Sequence, residues 1–296
     1  MLHSHAALLL AALSLPHKVQ GFASRIMDVP GLSDRLSSRA IVYSDFDNSE
    51  AIGALVTSRF FTATSAVQLP TIVVIPAVVE DVQACVRHAY DHDLDFGVLG
   101  GGHGVAGLGH TNGLLIDMTA LTEVHVDTAA GITTYQTGNT IGSLDLASKD
   151  SRVYSPNGNC PQVGAGAVLH GGYGSMIKTR GLAIDNIVSY QLVTYDSKLH
   201  TVTNESESEL FWGLRGAASM LGVVTKISVR HFKVDDHYGG SIVFTNVSAL
   251  PRLVAWINDK GLSATNEFHV RFSVFSAPPP ASVAMEVTLW GDGSAF

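Results

Sequence analysis

The chain has 296 residues, of which 46% are hydrophobic and only 15% are charged, and its formal net charge at pH 7 is −8. This length suits roughly two domains, each with a sizeable apolar core. The negative charge, without any run rich in Lys or Arg, argues against binding to nucleic acid, since neutralising phosphates requires clustered basic side chains.

The N-terminal segment 1–21 has the pattern of a secretory signal peptide. Residues 6–15 read AALLLAALSL, an apolar stretch shorter than the ~20 residues that a membrane-spanning helix needs. Pro16 ends the stretch, and small residues that suit a cleavage site follow. Asn204-Glu-Ser and Asn246-Val-Ser are acceptor sequences for N-glycosylation. The sequence therefore predicts a secreted glycoprotein that does not associate with a membrane.

Residues 22–65 form a leader with weak periodicity, and a regular succession of strands and helices begins after Pro70. Short β-branched or alternating runs predict strands. Up to residue 234 these strands are 71–75, 95–99, 114–118, 124–126, 132–136, 187–195, 199–202 and 223–234. Apolar residues at helical spacing predict helices at 80–92, 140–150 and 208–215. We therefore expect one domain that mixes strands and helices over residues 66–235.

The pattern changes after this point, and residues 236–296 are expected to begin a second domain. Their predicted strands are 241–247, 268–275 and 283–289, and their predicted helix is 249–258. The strands alternate apolar and polar residues, which is typical of an antiparallel sheet with one solvated face. The predicted fold class is α+β.

The loop at residues 100–113 reads GGGHGVAGLGHTNG and contains a Gly-x-Gly-x-x-Gly match. A nicotinamide-binding Rossmann site requires a helix at that loop, but the element that follows is a strand. A P-loop is excluded because no Gly-Lys-Ser/Thr is present. Three consecutive glycines present bare backbone N–H groups that can bind a pyrophosphate without a helix. His103 lies in this loop, either as a structural residue of a tight turn or beside a bound cofactor.

A second glycine-rich region, residues 156–174, contains Cys160. The position of Cys160 between glycine-rich segments indicates that its thiol contacts a ligand rather than packing in a core. The other cysteine, Cys85, lies on the apolar face of a predicted helix, and a disulfide between the two is an alternative. No metal site is predicted, because His103 and His110 lie on a loop without a nearby pair of carboxylates.

These regions together resemble the PCMH-type FAD-binding module of the vanillyl-alcohol-oxidase superfamily, and most of all its berberine-bridge-enzyme-like and gluco-oligosaccharide-oxidase-like members. The resemblance covers residues 66–235. Besides the two glycine-rich regions, it is carried by segments 70–89, 115–118, 181–186 (GLAIDN), 210–216 (LFWGLRG) and 222–225. It implies a module of two α/β subdomains, followed by an antiparallel-sheet substrate domain that we expect to be incomplete over 236–296.

The resemblance implies that FAD is held bicovalently, with His103 bonded to the flavin 8α-methyl group and Cys160 bonded to flavin C6. Backbone groups of both glycine-rich regions would hold the pyrophosphate and the ring. The implied cofactor-binding residues are Leu99, Gly100, Gly101, Gly102, His103, Gly104, Cys160, Gly164, Gly166 and Val224. Leu99 stands where the family usually has Arg or Lys, and Gly104 replaces a common Ser.

The implied activity is that of an oxidase. Hydride would pass from a hydroxyl group of a carbohydrate or secondary metabolite to FAD, and dioxygen would be the acceptor. No residue matches the family's catalytic tyrosine, so no catalytic base is assigned. Two alternatives remain open: an inactive secreted flavin-binding remnant, and a structural domain with a disulfide between Cys85 and Cys160. The sequence indicates neither the substrate nor the oligomeric state.

Overall fold

The computed structural model describes residues 31–61, 69–104, 109–234, 237–244, 246–261, 268–276 and 283–292. The chain separates into two compact units: Met1–Leu121 with Val193–Lys198, and Thr122–Leu192 with Leu199–Phe296. The predicted signal peptide lies outside the described residues. Within the described ranges, no helix is both long and apolar enough to span a membrane.

A four-stranded sheet with the strand order β1-β2-β4-β3 forms the centre of the first unit. Its strands are β1 (Ile41–Ser44), β2 (Ile72–Ile75), β3 (Phe96–Leu99) and β4 (Leu114–Asp117). β2, β3 and β4 are parallel, and β1 pairs with β2 in the antiparallel sense. The sequences IVVI of β2 and LLID of β4 are almost wholly buried, as expected for central strands of a parallel sheet.

Two helices accompany this sheet, α1 (Asp45–Arg59) and α2 (Val79–Asp91). The start of α2 is held by Asp81, a buried carboxylate that accepts hydrogen bonds from the backbone N–H groups of Ala77, Val78 and Ser37. Val78 stands directly before the helix, and its N–H is one that a helix start leaves without a partner. The predicted helix at 80–92 is therefore confirmed within one residue.

Residues that the sequence assigned to a leader belong to the first unit. Strand β1 pairs with β2 along its whole length, and the helix α1 follows it directly. Ile52, Val56 and Phe60 are buried in one apolar cluster with residues of β2, β3 and β4. The domain boundary predicted at residue 66 thus differs from the observed packing, in which residues 41–60 are part of the sheet and its core.

A five-stranded sheet with the order β5-β6-β10-β8-β9 dominates the second unit. Its strands are β5 (Val124–Asp127), β6 (Ile132–Gln136), β8 (Ile187–Val193), β9 (Leu199–Thr203) and β10 (Val223–Arg230). A short pair, β7 (Val153–Tyr154) and β11 (Phe232–Lys233), lies outside this sheet. All five strands of the large sheet occur where the sequence predicts them.

Four helices of the second unit are α3 (Ile141–Ser148), α4 (Ala165–Leu169), α5 (Ile177–Arg180) and α6 (Ser208–Leu221). Helix α6 extends beyond its predicted end at residue 215 but is broken there. The backbone leaves helical geometry at Arg215–Ala217, where Gly216 has a φ of +122° that only glycine adopts readily. The sequence Arg-Gly-Ala therefore ends one helical segment and starts another.

The last part of the chain contains a three-stranded antiparallel sheet with the order β12-β14-β13. Its strands are β12 (His237–Phe244), β13 (Phe268–Ser276) and β14 (Val283–Asp292), and the helix α7 (Leu250–Trp256) precedes β13. The predicted antiparallel sheet is confirmed, and with it the α+β fold class. β12 begins four residues earlier than predicted, because Gly239 and Gly240 pair with β14 although glycine is a poor strand former.

Helix α2 also buries a histidine in the first unit. His88 is only 4% exposed, and its Nδ1 atom has no hydrogen-bond partner. The ring of His92 lies 4.4 Å away between centroids. Burial, followed by His92 and Arg35, lowers the pKa of His88, while Asp91 acts in the opposite direction. The neutral imidazole is therefore the form that the fold favours.

Because the pKa of His88 is lower in the folded chain than in the unfolded chain, the unfolded state takes up the proton first. Stability should be constant above the unfolded-state pKa of about 6.5 and should decline as the pH falls below it. We expect the variant His88→Leu to lose less thermal stability between pH 7 and pH 5 than the unmodified protein. Melting curves at both pH values measure this, with His125→Leu, at an exposed position, as control. Equal declines in both variants would contradict the prediction.

Candidate functional site

The first glycine-rich loop begins at the end of β3. Leu99 is 2% exposed and packs in the apolar cluster of the first unit, so that only its backbone is available to a ligand. Gly100 to Gly104 follow with intermediate exposure and contain no acidic side chain. This part of the loop is therefore a partly open run of backbone that does not repel an anion.

Gly102 is required by both its conformation and its surroundings. Its φ of +67° lies in the left-handed region, and a Cβ atom there would overlap the carbonyl oxygen of Arg59. The carbonyl oxygen of Gly102 accepts a hydrogen bond of 2.8 Å from the backbone N–H of Phe61. The end of α1 therefore fixes the backbone of the loop directly before His103.

Two histidines of the loop stack on two consecutive phenylalanines. His103 lies against Phe61 with ring centroids 4.2 Å apart and an angle of 17° between the rings. His110 lies against Phe60 at 4.0 Å and 30°. Phe60 is buried, whereas Phe61 is 65% exposed. The stacking defines the plane of the His103 imidazole, a feature that sequence reasoning missed because Phe61 was assigned to the leader.

A buried ion pair anchors the end of α1. Nη2 of Arg59 lies 3.2 Å from Oδ1 of Asp117, the last residue of β4, and the Asp117 side chain is only 1% exposed. Oδ1 also accepts hydrogen bonds from the backbone N–H and the hydroxyl group of Thr119, while Oδ2 has no partner. Burial raises the pKa of Asp117, and Arg59 and Thr119 oppose the rise. Arg59 and Thr119 thus offset part of the cost of burying the Asp117 carboxyl group.

Cys160 lies in the second unit, on a loop between β7 and α4. Its thiol is free and partly exposed, and Sγ is 3.2 Å from Oε1 of Gln162. Cys85 is also a free thiol, fully buried in α2, where burial raises its pKa. The alternative with a disulfide between the two cysteines is therefore wrong for this structure. Cys160 is the more accessible nucleophile of the two.

Side chains hold the Cys160 loop from two directions. The hydroxyl group of Tyr154 donates a hydrogen bond of 2.6 Å to the carbonyl oxygen of Gly158, and Oδ1 of Asn159 accepts one of 2.7 Å from the backbone N–H of Ser175. Burial raises the pKa of Tyr154 to about 12, and the charge of Asp145 adds to the effect. Tyr154 therefore stays protonated and keeps its donor at neutral pH.

The first turn of α3 contributes backbone contacts to the same loop. The N–H of Ile141 donates to the carbonyl oxygen of Val163 at 2.8 Å, and the N–H of Gly142 donates to that of Pro161 at 3.0 Å. A Cβ atom on Gly142 would lie 2.8 Å from Cβ of Pro161. The carbonyl groups of the loop thus accept hydrogen bonds from N–H groups that a helix start leaves unpaired. Pro161 lies so close to Gly142 that a larger residue would not fit at position 142.

The remaining predicted contacts also lie in the second unit. Gly164 is buried directly before α4, and Gly166 is exposed, with open space where a Cβ atom would stand. The ring of His170 bridges the carbonyl oxygen of Gly166, 2.7 Å from Nδ1, and Oγ of Ser219, 2.8 Å from Nε2. Val224 packs in the apolar core, and its carbonyl oxygen accepts a hydrogen bond from Thr137. Any contact of Val224 with a cofactor is therefore through its backbone.

The two sets of predicted site residues lie in different units. Leu99 to Gly104 belong to the first, and Cys160, Gly164, Gly166 and Val224 belong to the second. Among the residues that the structure describes, no group of three or more His, Cys, Asp or Glu side chains is arranged to hold a metal ion. The site features are therefore bare backbone, one stacked imidazole and one free thiol.

Comparison with known proteins gives a consistent result. Residues 70–203 match the family described as FAD binding domain. An FAD-linked oxidoreductase of Dictyostelium discoideum is 32% identical over 184 residues, which is 62% of this chain and 40% of that protein. (R)-6-hydroxynicotine oxidase of Paenarthrobacter nicotinovorans is 30% identical over 241 residues, which is 79% of this chain and 50% of that protein. Glucooligosaccharide oxidase of Sarocladium strictum is 32% identical over 56% of this chain and 34% of that protein.

Solved structures show the same fold. The crystal structure of 6-hydroxy-D-nicotine oxidase from Arthrobacter nicotinovorans has a TM-score of 0.79 at 25% identity, covering 90% of this chain and 57% of that one. The berberine-bridge-enzyme-like protein 1 of Physcomitrella patens has a TM-score of 0.76 at 26% identity, covering 87% of this chain and 55% of that one.

Residues 70–203 thus match an FAD-binding domain, and the chain is similar to FAD-linked oxidoreductases over this part. The similar proteins include a berberine-bridge-enzyme-like protein, 6-hydroxynicotine oxidase and glucooligosaccharide oxidase, as the sequence resemblance predicts. The chain spans half or less of the length of these curated relatives.

The Arg59–Asp117 pair provides a test of what fixes the first glycine-rich loop. Arg59→Met removes the cation but leaves the carboxylate buried, so we expect the free energy of unfolding to fall by about 3 kcal/mol. Adding Asp117→Asn should recover part of this loss, because the buried charge is then gone. Urea unfolding of both variants measures the effect, with Arg39→Met, at an exposed position, as control. Unchanged stability of Arg59→Met would show that the pair does not anchor α1.

Proposed function

We propose that this chain is a secreted FAD-linked oxidase that holds FAD covalently through His103 and Cys160. Its substrate would carry a hydroxyl group, in a carbohydrate or a secondary metabolite, and dioxygen would be the electron acceptor. The observation that carries the proposal is the FAD-binding-domain match at residues 70–203, which contains both a partly exposed free thiol and an imidazole beside a bare glycine loop.

The described residues fit a flavin dinucleotide. The four glycines among residues 100–104 offer backbone N–H groups without side chains, and the segment carries no negative charge, which suits a pyrophosphate. The imidazole of His103 and the thiol of Cys160 are side chains that can form bonds to carbon, and neither is buried. Gly166 has open space at its Cβ position, so that the backbone there can approach a flat ring. No acidic side chain in residues 100–104 would repel the phosphates.

FAD, when bound, supplies the capacity to accept a hydride. The contribution of the chain is to bind and orient. The glycine backbone would hold the diphosphate, and His103 and Cys160 would fix the ring against rotation. Tyr154 and Asn159 hold the loop that carries Cys160. The group that takes the proton of the substrate hydroxyl is not assigned to a residue of this chain.

The substrate class is proposed from the relatives. One is named as an oxidase of 6-hydroxynicotine, and others as oxidases of glucooligosaccharides and xylooligosaccharides. An oligosaccharide presents hydroxyl groups for oxidation, and 6-hydroxynicotine presents an amine-bearing ring. We favour hydroxyl-bearing compounds, and among them carbohydrates, because two of these three relatives are named for oligosaccharides.

Secretion leads to a separate prediction about glycosylation. Asn204 is exposed, in the turn between β9 and α6, and therefore accessible to a glycosyltransferase. In a eukaryotic secretory host we expect the protein to carry a glycan at Asn204, and Asn204→Gln should lower its mass by one glycan. Mass spectrometry before and after endoglycosidase treatment measures this. The same mass for Asn204→Gln and the unmodified protein, apart from the substituted residue, would contradict it.

Covalent flavin content tests the main proposal. We expect acid-denatured protein to stay yellow, with peptide mapping placing FAD on both His103 and Cys160. His103→Ala and Cys160→Ala should each keep one link, and the double variant should release all flavin into the supernatant. Cys85→Ala is the control, because that thiol is buried in α2.

Three outcomes separate the competing hypotheses. Complete release of flavin from the unmodified protein by acid would overturn covalent attachment. Reduction of the bound flavin by an oligosaccharide, with formation of hydrogen peroxide under air, supports the oxidase. Bound flavin that no hydroxyl-bearing compound from a broad panel reduces would favour the inactive flavin-binding remnant.

A further inference from the structure

The end of α1 contacts the His103 segment through three consecutive residues. The carbonyl oxygen of Arg59 fills the space in which Gly102 would otherwise carry a side chain. Phe60 is buried in the core, and its ring stacks on that of His110. Phe61 bonds through its N–H to the carbonyl oxygen of Gly102 and stacks its ring on His103. Gly102, His103 and His110 are therefore all contacted by the same three-residue stretch at the end of α1.

The backbone of Phe61 is held by contacts other than the one between its ring and His103. Its backbone is held by the 2.8 Å hydrogen bond to Gly102. The residue before it is anchored in the apolar core, and Arg59 is tied to the buried carboxylate of Asp117. Yet the ring itself is 65% exposed, so apolar burial does not account for its placement. The described contact of its ring face is the imidazole of His103.

We propose that Phe61 is a positioning residue for the attachment of flavin to His103. This inference rests on the proposed function. With 17° between the rings, Phe61 covers one face of the imidazole and does not itself cover the edge that bears the nitrogens. A nucleophile held in one orientation reacts faster than a freely rotating one. Phe61 thus acts through His103 and does not itself touch the reacting atoms.

The attachment step balances with dioxygen as oxidant. The bond that forms joins an imidazole nitrogen of His103 to the flavin 8α carbon. One hydrogen leaves the 8α-methyl group and one leaves the imidazole, both as protons, and the two electrons remain on the flavin ring. Dioxygen takes up these two electrons and two protons and becomes hydrogen peroxide, which returns the flavin to its oxidised state.

Phe61→Leu and Phe61→Trp separate orientation from packing. Leucine keeps an apolar side chain but has no flat face, whereas tryptophan keeps the face. Each protein is produced in riboflavin-depleted medium and then given FAD under air. Peptide mass mapping over time follows FAD on the His103 peptide and, in the same molecules, on the Cys160 peptide. Phe96→Leu, at a partly exposed position at the start of β3, is the matched control.

We expect Phe61→Leu to slow attachment at His103 about fivefold, as fits the loss of one aromatic contact. Attachment at Cys160 and the melting temperature should match those of Phe96→Leu, and Phe61→Trp should restore the rate at His103. If Phe61→Leu attaches flavin at His103 as fast as the unmodified protein does, the inference is overturned but the proposed function is not. Equal slowing at His103 and Cys160 would also overturn it, because the effect is then on the whole fold. Unmodified protein without flavin on His103 would overturn the proposed function and the inference with it.

Discussion

The buried carboxylate of Asp117 is the constraint on which the first unit depends. A carboxylate at 1% exposure is costly unless a cation pairs with it, and Arg59 at the end of α1 provides that cation. Arg59 is the last residue of α1, and the next two residues stack on His110 and His103. The Arg59–Asp117 ion pair and the stacking of Phe61 on His103 thus belong to one continuous stretch of chain.

The second unit positions its nucleophile by other means. The Cys160 loop is held by neutral hydrogen bonds from Tyr154 and to Asn159, and by N–H groups at the start of α3. Such contacts do not depend on a charge near the thiol. Since Tyr154 has a pKa of about 12, they also persist across the physiological pH range. A loop fixed in this way can present a thiol without burying it.

Backbone accounts for much of the site chemistry in both units. At Gly102 and Gly142 a side chain would collide with neighbouring atoms, whereas at Gly166 the space that a side chain would fill is open. A dinucleotide carries negative phosphates and a broad flat ring, and bare N–H groups can approach both closely. If these loops bind FAD as we propose, bare backbone rather than charged side chains would meet its phosphates.

The sequence by itself determined most strands, the helices α2, α3, α6 and α7 to within a few residues at their starts, and the two glycine-rich regions, because apolar periodicity and glycine runs are local properties of the chain. It also indicated His103 and Cys160 and the FAD-binding class. It did not predict β1, β7, α1, α4 or α5. Only the tertiary structure decided that residues 41–60 join the first sheet, that the side chain of Leu99 faces the core, and that Phe61 lies on His103. These facts depend on strand order and on an ion pair between residues 58 positions apart, which no local pattern encodes.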